Sequence, residues 1–367
     1  MTQPVRIGVL GYGFSGRYLH APLIASAPEC DLIGVATIIP EQRELASQEL
    51  GGRLAFGSLE QLALAGAEAV TVATQAATHI PLVLEALHRG LAVVCEKPFA
   101  LDAAAARAAV ELARELRLPL TVFQNRRWDS DFRTVRKLTE AGFLGTISRF
   151  ESRFERYKPD PGPRAAGGGT LRDFGCHLVD QALVLFGPAS LVYAETHVRE
   201  DELALEDDIF VALTHDTGVR SHLWGSWRQG SPGPRFRVTG STGTYVVDGV
   251  DGQEARLQAR QSPATEGDRW GIEPKQRWGR IQCGDATQVV PLESGAWNTF
   301  YPSFAAAVRE EGPLPVDPWE AVATATVLDA ARRSAAIGQT VRLERDEALE
   351  AKRGARDRER NRSPAGL

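Results

Sequence analysis

From residue 5 onward, short apolar runs alternate with amphipathic or alanine-rich stretches. VRIGVL (5–10), DLIGVA (31–36), AEAVTVAT (67–74), LAVVCEK (91–97) and LPLTVFQN (118–125) have the near-continuous hydrophobicity of buried parallel strands. Between them, residues 15–27, ELASQEL, HIPLVLEALHRG (79–90) and the alanine-rich 102–117 read as helices, the third stopping at Gly90. This alternation predicts a doubly wound parallel sheet.

The rhythm changes near residue 125. A helix over DSDFRTVRKLTEAG precedes longer segments in which polar and apolar residues alternate: 146–157, 190–198, 208–216, 219–227 and 235–248. They predict a second, α+β domain with a large, mostly antiparallel open sheet. A further helix is expected over 318–337. The last stretch, ERDEALEAKRGARDRERNRSPAGL, lacks an apolar face and reads as a frayed helix or disordered tail. The expected organisation is residues 1–122, 123–343 and a charged tail at 344–367.

Composition narrows the function classes. A chain of 367 residues exceeds the size at which single cores usually split. Apolar content of 43% and charged content of 24% suit a soluble globular protein. A net charge of −5 gives no electrostatic reason to expect nucleic acid or an anionic membrane. No apolar run approaches the length of a membrane span, and no secretory leader precedes Val5, so a cytoplasmic location is expected. Cys30, Cys95, Cys176 and Cys283 show neither CxxC nor zinc-finger spacing, so reduced thiols and no metal site are expected.

Gly11, Gly13 and Gly16 form GxGxxG between the first strand and its helix. That context predicts a dinucleotide cradle: a tight turn at Gly11, close approach of backbone to pyrophosphate at Gly13, and helix–strand packing at Gly16. The phosphates would face helix N–H groups. The second strand ends Val35-Ala36-Thr37-Ile38, without the acid that usually holds an NAD ribose. Thr37 and Arg43 are candidates to receive a 2′-phosphate, so NADP is expected, with NAD as the alternative.

Two further clusters carry candidate chemistry. Lys97, in Glu96-Lys97-Pro98, is one of five lysines and ends an apolar strand, where open α/β sheets bind ligands. Asp173 and His177, in GGGTLRDFGCHLVDQ, lie one helical turn apart, with Asp180 and Gln181 continuing the same face. Taken alone, that face is either a solvated polar stripe or an acid/base pair.

Together these segments resemble the glucose–fructose oxidoreductase/inositol dehydrogenase (Gfo/Idh/MocA) family, from residue 5 to about 343. The matches are GYGFSGRYLHAPLI (11–24), ATQAATHIPL with Thr74 and His79, EKP (96–98), QNRRWDSDF (124–132), DFGCHLVDQ (173–181) and WGIEP (270–274). HAPL and NRRWDSDF point to its NADP-dependent scyllo-inositol dehydrogenase branch. The resemblance implies catalytic Lys97, Asp173 and His177, a substrate hydroxyl at Asp180, a cis Lys97–Pro98 bond, and homo-oligomers built through the open sheet. The implied activity is hydride exchange between a nicotinamide cofactor and a secondary alcohol of a cyclitol or sugar. An NAD-dependent glycosidase and a non-catalytic NADP-sensing regulator are the alternatives. The full cofactor set expected is Gly11, Tyr12, Gly13, Phe14, Gly16, Thr37, Arg43, Thr74, His79, Glu96, Lys97 and Asn125. Arg153 joins Lys97, Asp173, His177 and Asp180 as a substrate candidate. Gln75-Ala76 stands where the family usually has Pro-Asn.

Overall fold

The computed structural model describes residues 3–50, 55–158, 168–198 and 205–344. The first sheet has six parallel strands. In chain order the first half runs β1 (Val5–Leu10), a π-helical turn Ser15–His20 leading into α1 (Ala21–Ala25), β2 (Cys30–Ala36), α2 (Pro40–Leu50) and β3 (Ala55–Phe56). It continues α3 (Leu59–Leu64), β4 (Ala69–Val72), α4 (Ala76–His88), β5 (Ala92–Cys95), α5 (Ala103–Leu116) and β6 (Leu120–Val122). The strand order β3-β2-β1-β4-β5-β6 brings the loops after β1 and β4 together where the winding reverses. Local signals bound the helices well. On α5, Asp102 accepts a hydrogen bond from Ala105 N at 2.8 Å, and the helix ends at left-handed Arg117.

The second half begins with a 3-10 turn at Asn125–Trp128 and α6 (Ser130–Glu140), followed by β7 (Ile147–Glu155), α7 (Thr170–Asp173) and α8 (Gly175–Phe186). Then come β8 (Ala189–Val198), β9 (Glu206–His215), β10 (Arg220–Ser226), β11 (Phe236–Gly240) and β12 (Thr244–Val247). The remainder is α9 (Gln253–Gln258), α10 (Pro263–Glu266), β13 (Gly279–Cys283), β14 (Ala286–Val290), α11 (Phe300–Val308), α12 (Pro318–Ile337) and β15 (Val341–Arg342). Nine strands form one mixed sheet, in the order β14-β13-β12-β11-β7-β10-β9-β8-β15. Every pairing in it is antiparallel except β7 with β10. The expected strand over 235–248 is a hairpin, β11–β12, that turns at Ser241–Gly243. The charged tail from residue 345 lies outside the described residues.

Chain order and packing part company near the end. Trp297, Phe300, Tyr301 and Phe304 join the core of β1, with Val5, Ile7, Val9 and Phe123. On α12, Trp319, Val322 and Ala325 pack with the α4–α5 side of the first sheet, whereas Val327, Leu328 and Ala331 enter the core under the second. One helix therefore walls both cores and holds the two sheets against each other. Among the described residues, no helix is long and apolar enough to cross a membrane.

Candidate active site

The glycine loop fits a dinucleotide. Gly11 has φ +93°, and a Cβ there would meet the Ala73 carbonyl oxygen at 2.7 Å. A Cβ on Gly16 would lie 2.1 Å from the Gly11 carbonyl oxygen, so only glycine lets the following helix sit this close to the strand. At Gly13 the nearest atom would be 3.9 Å away, which leaves that part of the loop open to a ligand. Tyr12 is buried and donates its hydroxyl to Glu49 at 2.9 Å, while Phe14 stays exposed. Tyr12 thus anchors the loop to α2 from behind. Gln42 on α2 accepts from Tyr12 N at 3.3 Å and from Thr37 Oγ1 at 3.1 Å. The Arg43 guanidinium lies beside Gly57, past the end of β3, and makes no ion pair among the described residues.

The other expected cofactor residues cluster at the carboxyl ends of β4, β5 and β6. His79 is buried, with Nδ1 2.8 Å from the Pro98 carbonyl and Nε2 3.2 Å from the Thr74 carbonyl. It ties the loop after β4 to the Lys97–Pro98 turn, whose peptide bond is cis. Asn125 is buried at the start of the 3-10 turn after β6. Gln75 caps α4 through its backbone alone. Glu96 is buried and directed inward to His20, away from the loop surface.

Lys97 reaches across to the second half of the chain. Its Nζ donates to Asp173 Oδ1 at 2.6 Å and lies 3.4 Å from the Asp173 carbonyl oxygen. That carbonyl is available because α7 and α8 break at Phe174: His177 N bonds back to Phe174 O instead. Burial acts to lower the Lys97 pKa. The carboxylates of Asp173 and Glu96 outweigh it, and Lys97 stays cationic.

The polar stripe of α8 is buried rather than solvated: His177, Asp180 and Gln181 are all closed off by β7, β10 and α12. His177 stacks on Phe154 at 6.2 Å, and its Nδ1 has no hydrogen-bond partner among the described residues. Burial first, then the positive charges of Lys97, Arg126, Arg235 and Arg156, hold its pKa well below the usual histidine value. The imidazole is therefore neutral and can accept a proton, beside an ammonium that cannot release one.

Two substrate candidates are placed differently from their expected role. Along β7, Phe150, Ser152 and Phe154 face α8, so Arg153 emerges on the opposite side, with its guanidinium 4.0 Å over the Trp224 ring. It leaves the set around His177. Asp180 gives both carboxylate oxygens to Arg127, at 2.6 and 2.8 Å, and Arg127 also pairs with Glu320 on α12. Asp180 holds Arg127 in place and presents no free carboxylate.

Residues outside the expected set complete the surroundings. Arg126 and Arg156 both pair with Glu254 on α9. The Arg156 guanidinium lies 5.2 to 5.9 Å from the rings of Phe154, Phe174 and Trp227, a cation over an aromatic wall next to His177. Arg126 could have been suspected from QNRRWDSDF. Arg156 and Glu254 carry no local signal, since their approach depends on tertiary packing. Among the described residues, no group of three or more His, Cys, Asp or Glu side chains is arranged to hold a metal ion.

Residues 5–124 match the model of the oxidoreductase family with an NAD-binding Rossmann fold (Gfo/Idh/MocA), and residues 132–246 match that family's C-terminal domain. A scyllo-inositol 2-dehydrogenase (NADP(+)) of Bacillus subtilis is 30% identical over 354 residues, covering 94% of this chain and 97% of the relative. The chain belongs to the Gfo/Idh/MocA oxidoreductase family. A D-apiose dehydrogenase of Paraburkholderia graminis is 31% identical over 251 residues, covering 66% of this chain and 65% of the relative. A crystal structure described as an oxidoreductase from Klebsiella pneumoniae superposes with a TM-score of 0.86 at 32% identity, covering 96% of this chain and 98% of that one. Membership of this family makes the chain an oxidoreductase with an NAD(P)-binding Rossmann fold, of the dehydrogenase type that acts on CH–OH groups.

Proposed function

We propose that the protein is an NADP-dependent dehydrogenase acting on a secondary alcohol of a cyclitol or sugar. The observation that carries the reading is the 2.6 Å contact of Lys97 with Asp173, made beside a neutral His177 and across from the glycine loop. A bound nicotinamide dinucleotide supplies the hydride acceptor or donor. Lys97 polarises the substrate oxygen, Asp173 orients Lys97, and His177 takes the hydroxyl proton in oxidation and returns it in reduction. The named activities of the relatives, on scyllo-inositol and on D-apiose, support a polyhydroxylated substrate. A screen of cyclitols and aldoses with NAD and NADP in parallel, followed by absorbance of the reduced cofactor, tests this. Release of free sugar without net cofactor reduction would overturn it.

Preference for NADP rests on Thr37, just past β2, and on Arg43 of α2 beside Gly57; the turn at Thr37-Ile38 lacks the acid that would repel a 2′-phosphate. Arg43→Ala should weaken NADP roughly ten- to hundredfold while changing NAD affinity less than about twofold, the loss expected for a charge-assisted phosphate contact. Titration of both cofactors by fluorescence checks it. Equal losses would remove Arg43 from the phosphate site.

The His177 environment also sets a pH dependence. Its basic form persists above its depressed pKa and is lost only when pH falls through that value. Alcohol oxidation should therefore hold level as pH drops through 6.5, the ordinary histidine value. A kcat/KM profile with an acid limb centred near 6.5 would contradict the assignment.

A further inference from the structure

Behind Lys97 lies a second polar array that the proposed chemistry does not use. Glu96 Oε2 accepts the backbone N–H of Lys97 at 2.9 Å, and its Oε1 lies 3.0 Å from His20 Nε2. His20 Nδ1 lies 2.7 Å from the Tyr301 hydroxyl, which is 3.0 Å from Thr71 Oγ1. Their exposures are 4% for Glu96, 0% for His20, 1% for Tyr301 and 0% for Thr71. The Phe123 ring packs 4.5 Å from the imidazole and Phe300 packs 4.8 Å from Phe123, so the array sits in dry surroundings.

The polarity of the first link is determined. Burial pushes the Glu96 carboxyl up, but the bond from His20 and the nearby Lys97 ammonium bring it below the usual range. Glu96 is therefore an ionised acceptor, and His20 Nε2 must donate to it. Burial pushes the Tyr301 phenol far up, so its proton stays on. Each member thus has a partner whose loss would leave a buried polar atom unpaired. Hydrocarbon side chains would fill this space at lower desolvation cost, so packing alone does not account for the array.

Its connectivity points to a purpose. His20 lies on the turn that follows the glycine loop, Thr71 on β4, Glu96 just past β5 and Tyr301 on α11. The array therefore joins the helical turn that follows the glycine loop to the backbone of Lys97, through a tyrosine 281 residues from His20. We propose that His20 and Tyr301 are positioning residues for Lys97: acting through Glu96, they hold its main chain in register with the glycine loop. The ammonium is then set on one rigid unit with the loop that would hold the dinucleotide. This rests on the reading of Lys97 as the group that polarises the substrate oxygen.

The test compares Tyr301→Phe with Thr71→Val. Both delete the tyrosine–threonine bond, but only the first removes the partner of His20. Tyr301→Phe should lower kcat roughly ten- to hundredfold, as expected for a small misplacement of a reacting group, and should leave NADP affinity within about twofold. It should also raise the deuterium isotope effect on kcat, because hydride transfer becomes slower than product release. Thr71→Val should lose comparable thermal stability with kcat within about twofold of wild type. A readout independent of substrate is the acylation rate of Lys97 by acetic anhydride, measured by mass spectrometry against Lys137 as internal reference. It should rise more than about threefold in Tyr301→Phe, as the Asp173 contact that keeps the ammonium protonated loosens, and not in Thr71→Val. Glu96→Gln, which keeps the side-chain length, should repeat the Tyr301→Phe pattern and serves if that variant does not fold. Wild-type kcat, isotope effect and Lys97 acylation in a folded Tyr301→Phe or Glu96→Gln would overturn the proposal. If the wild-type protein oxidises no alcohol, the dehydrogenase reading falls, and the acylation comparison still decides whether the array positions Lys97.

Discussion

Lys97→Met should lower kcat/KM about a thousandfold while leaving NADP affinity within about threefold of wild type. Removal of one preorganised charge from a site where charge develops on oxygen costs roughly two to three orders of magnitude. Lys97 is such a group: it lies just past β5 at the ligand-binding edge of the sheet, and Asp173 holds its Nζ at 2.6 Å. Methionine keeps the stem and removes the charge, so the turn after β5 should remain in place. The geometry also predicts non-additivity. Asp173 acts on the chemistry through Lys97, so Asp173→Asn on top of Lys97→Met should cost less than about threefold more, although Asp173→Asn alone is strongly impaired. Steady-state kinetics of the two single variants and the double variant, with cofactor titration, check both statements. Full turnover in Lys97→Met would remove the lysine from the reaction, and losses that multiply would separate the two residues.

Much of this arrangement is legible in the sequence, and the illegible parts have physical reasons. Strands buried on both faces and ending in glycine or lysine declare the first sheet and its ligand edge, because a doubly covered parallel strand must be apolar throughout. The hairpin β13–β14 goes unseen: most of its residues are exposed, so neither face carries a hydrophobic alternation. The two-residue β3 is too short for any periodicity to register. Alternation along β7 shows that Arg153 and Phe154 point to opposite faces, but not which face meets α8, and Arg153 falls on the far one. The spacing of Asp173, His177 and Asp180 places them on one helical face. Whether that face is wet or buried depends on β7, β10 and α12, which arrive from distant parts of the chain. The same holds for the contact of His20 with Tyr301, and for Arg127, whose partners Asp180 and Glu320 lie 53 and 193 residues away.

His177→Leu should lower kcat by a factor of roughly a hundred to ten thousand in both directions of reaction, the range for loss of a general acid–base group. Unlike an ordinary core lesion, it should not reduce stability at acidic pH. The wild-type imidazole has an unpartnered Nδ1 in buried surroundings near four cationic side chains, so its folded pKa is far below its unfolded one. Below about pH 6.5 the unfolded chain takes up a proton at this position and the folded protein does not. Wild-type stability contributed here is therefore complete above that pH and is lost as pH falls toward the depressed folded value. Leucine, of similar volume and without a titrating atom, removes the loss. The melting temperature of His177→Leu relative to wild type should accordingly rise as pH is lowered from about 7 to 5. Other buried histidines, such as His79 and His215, are common to both proteins and cancel in the comparison. Thermal melts across that range, paired with turnover at neutral pH, separate the roles. A variant that loses activity yet gains relative acid stability is the signature of a base kept neutral by its site. Retained activity, or a stability difference that does not change with pH, would show that His177 is not held neutral for proton transfer.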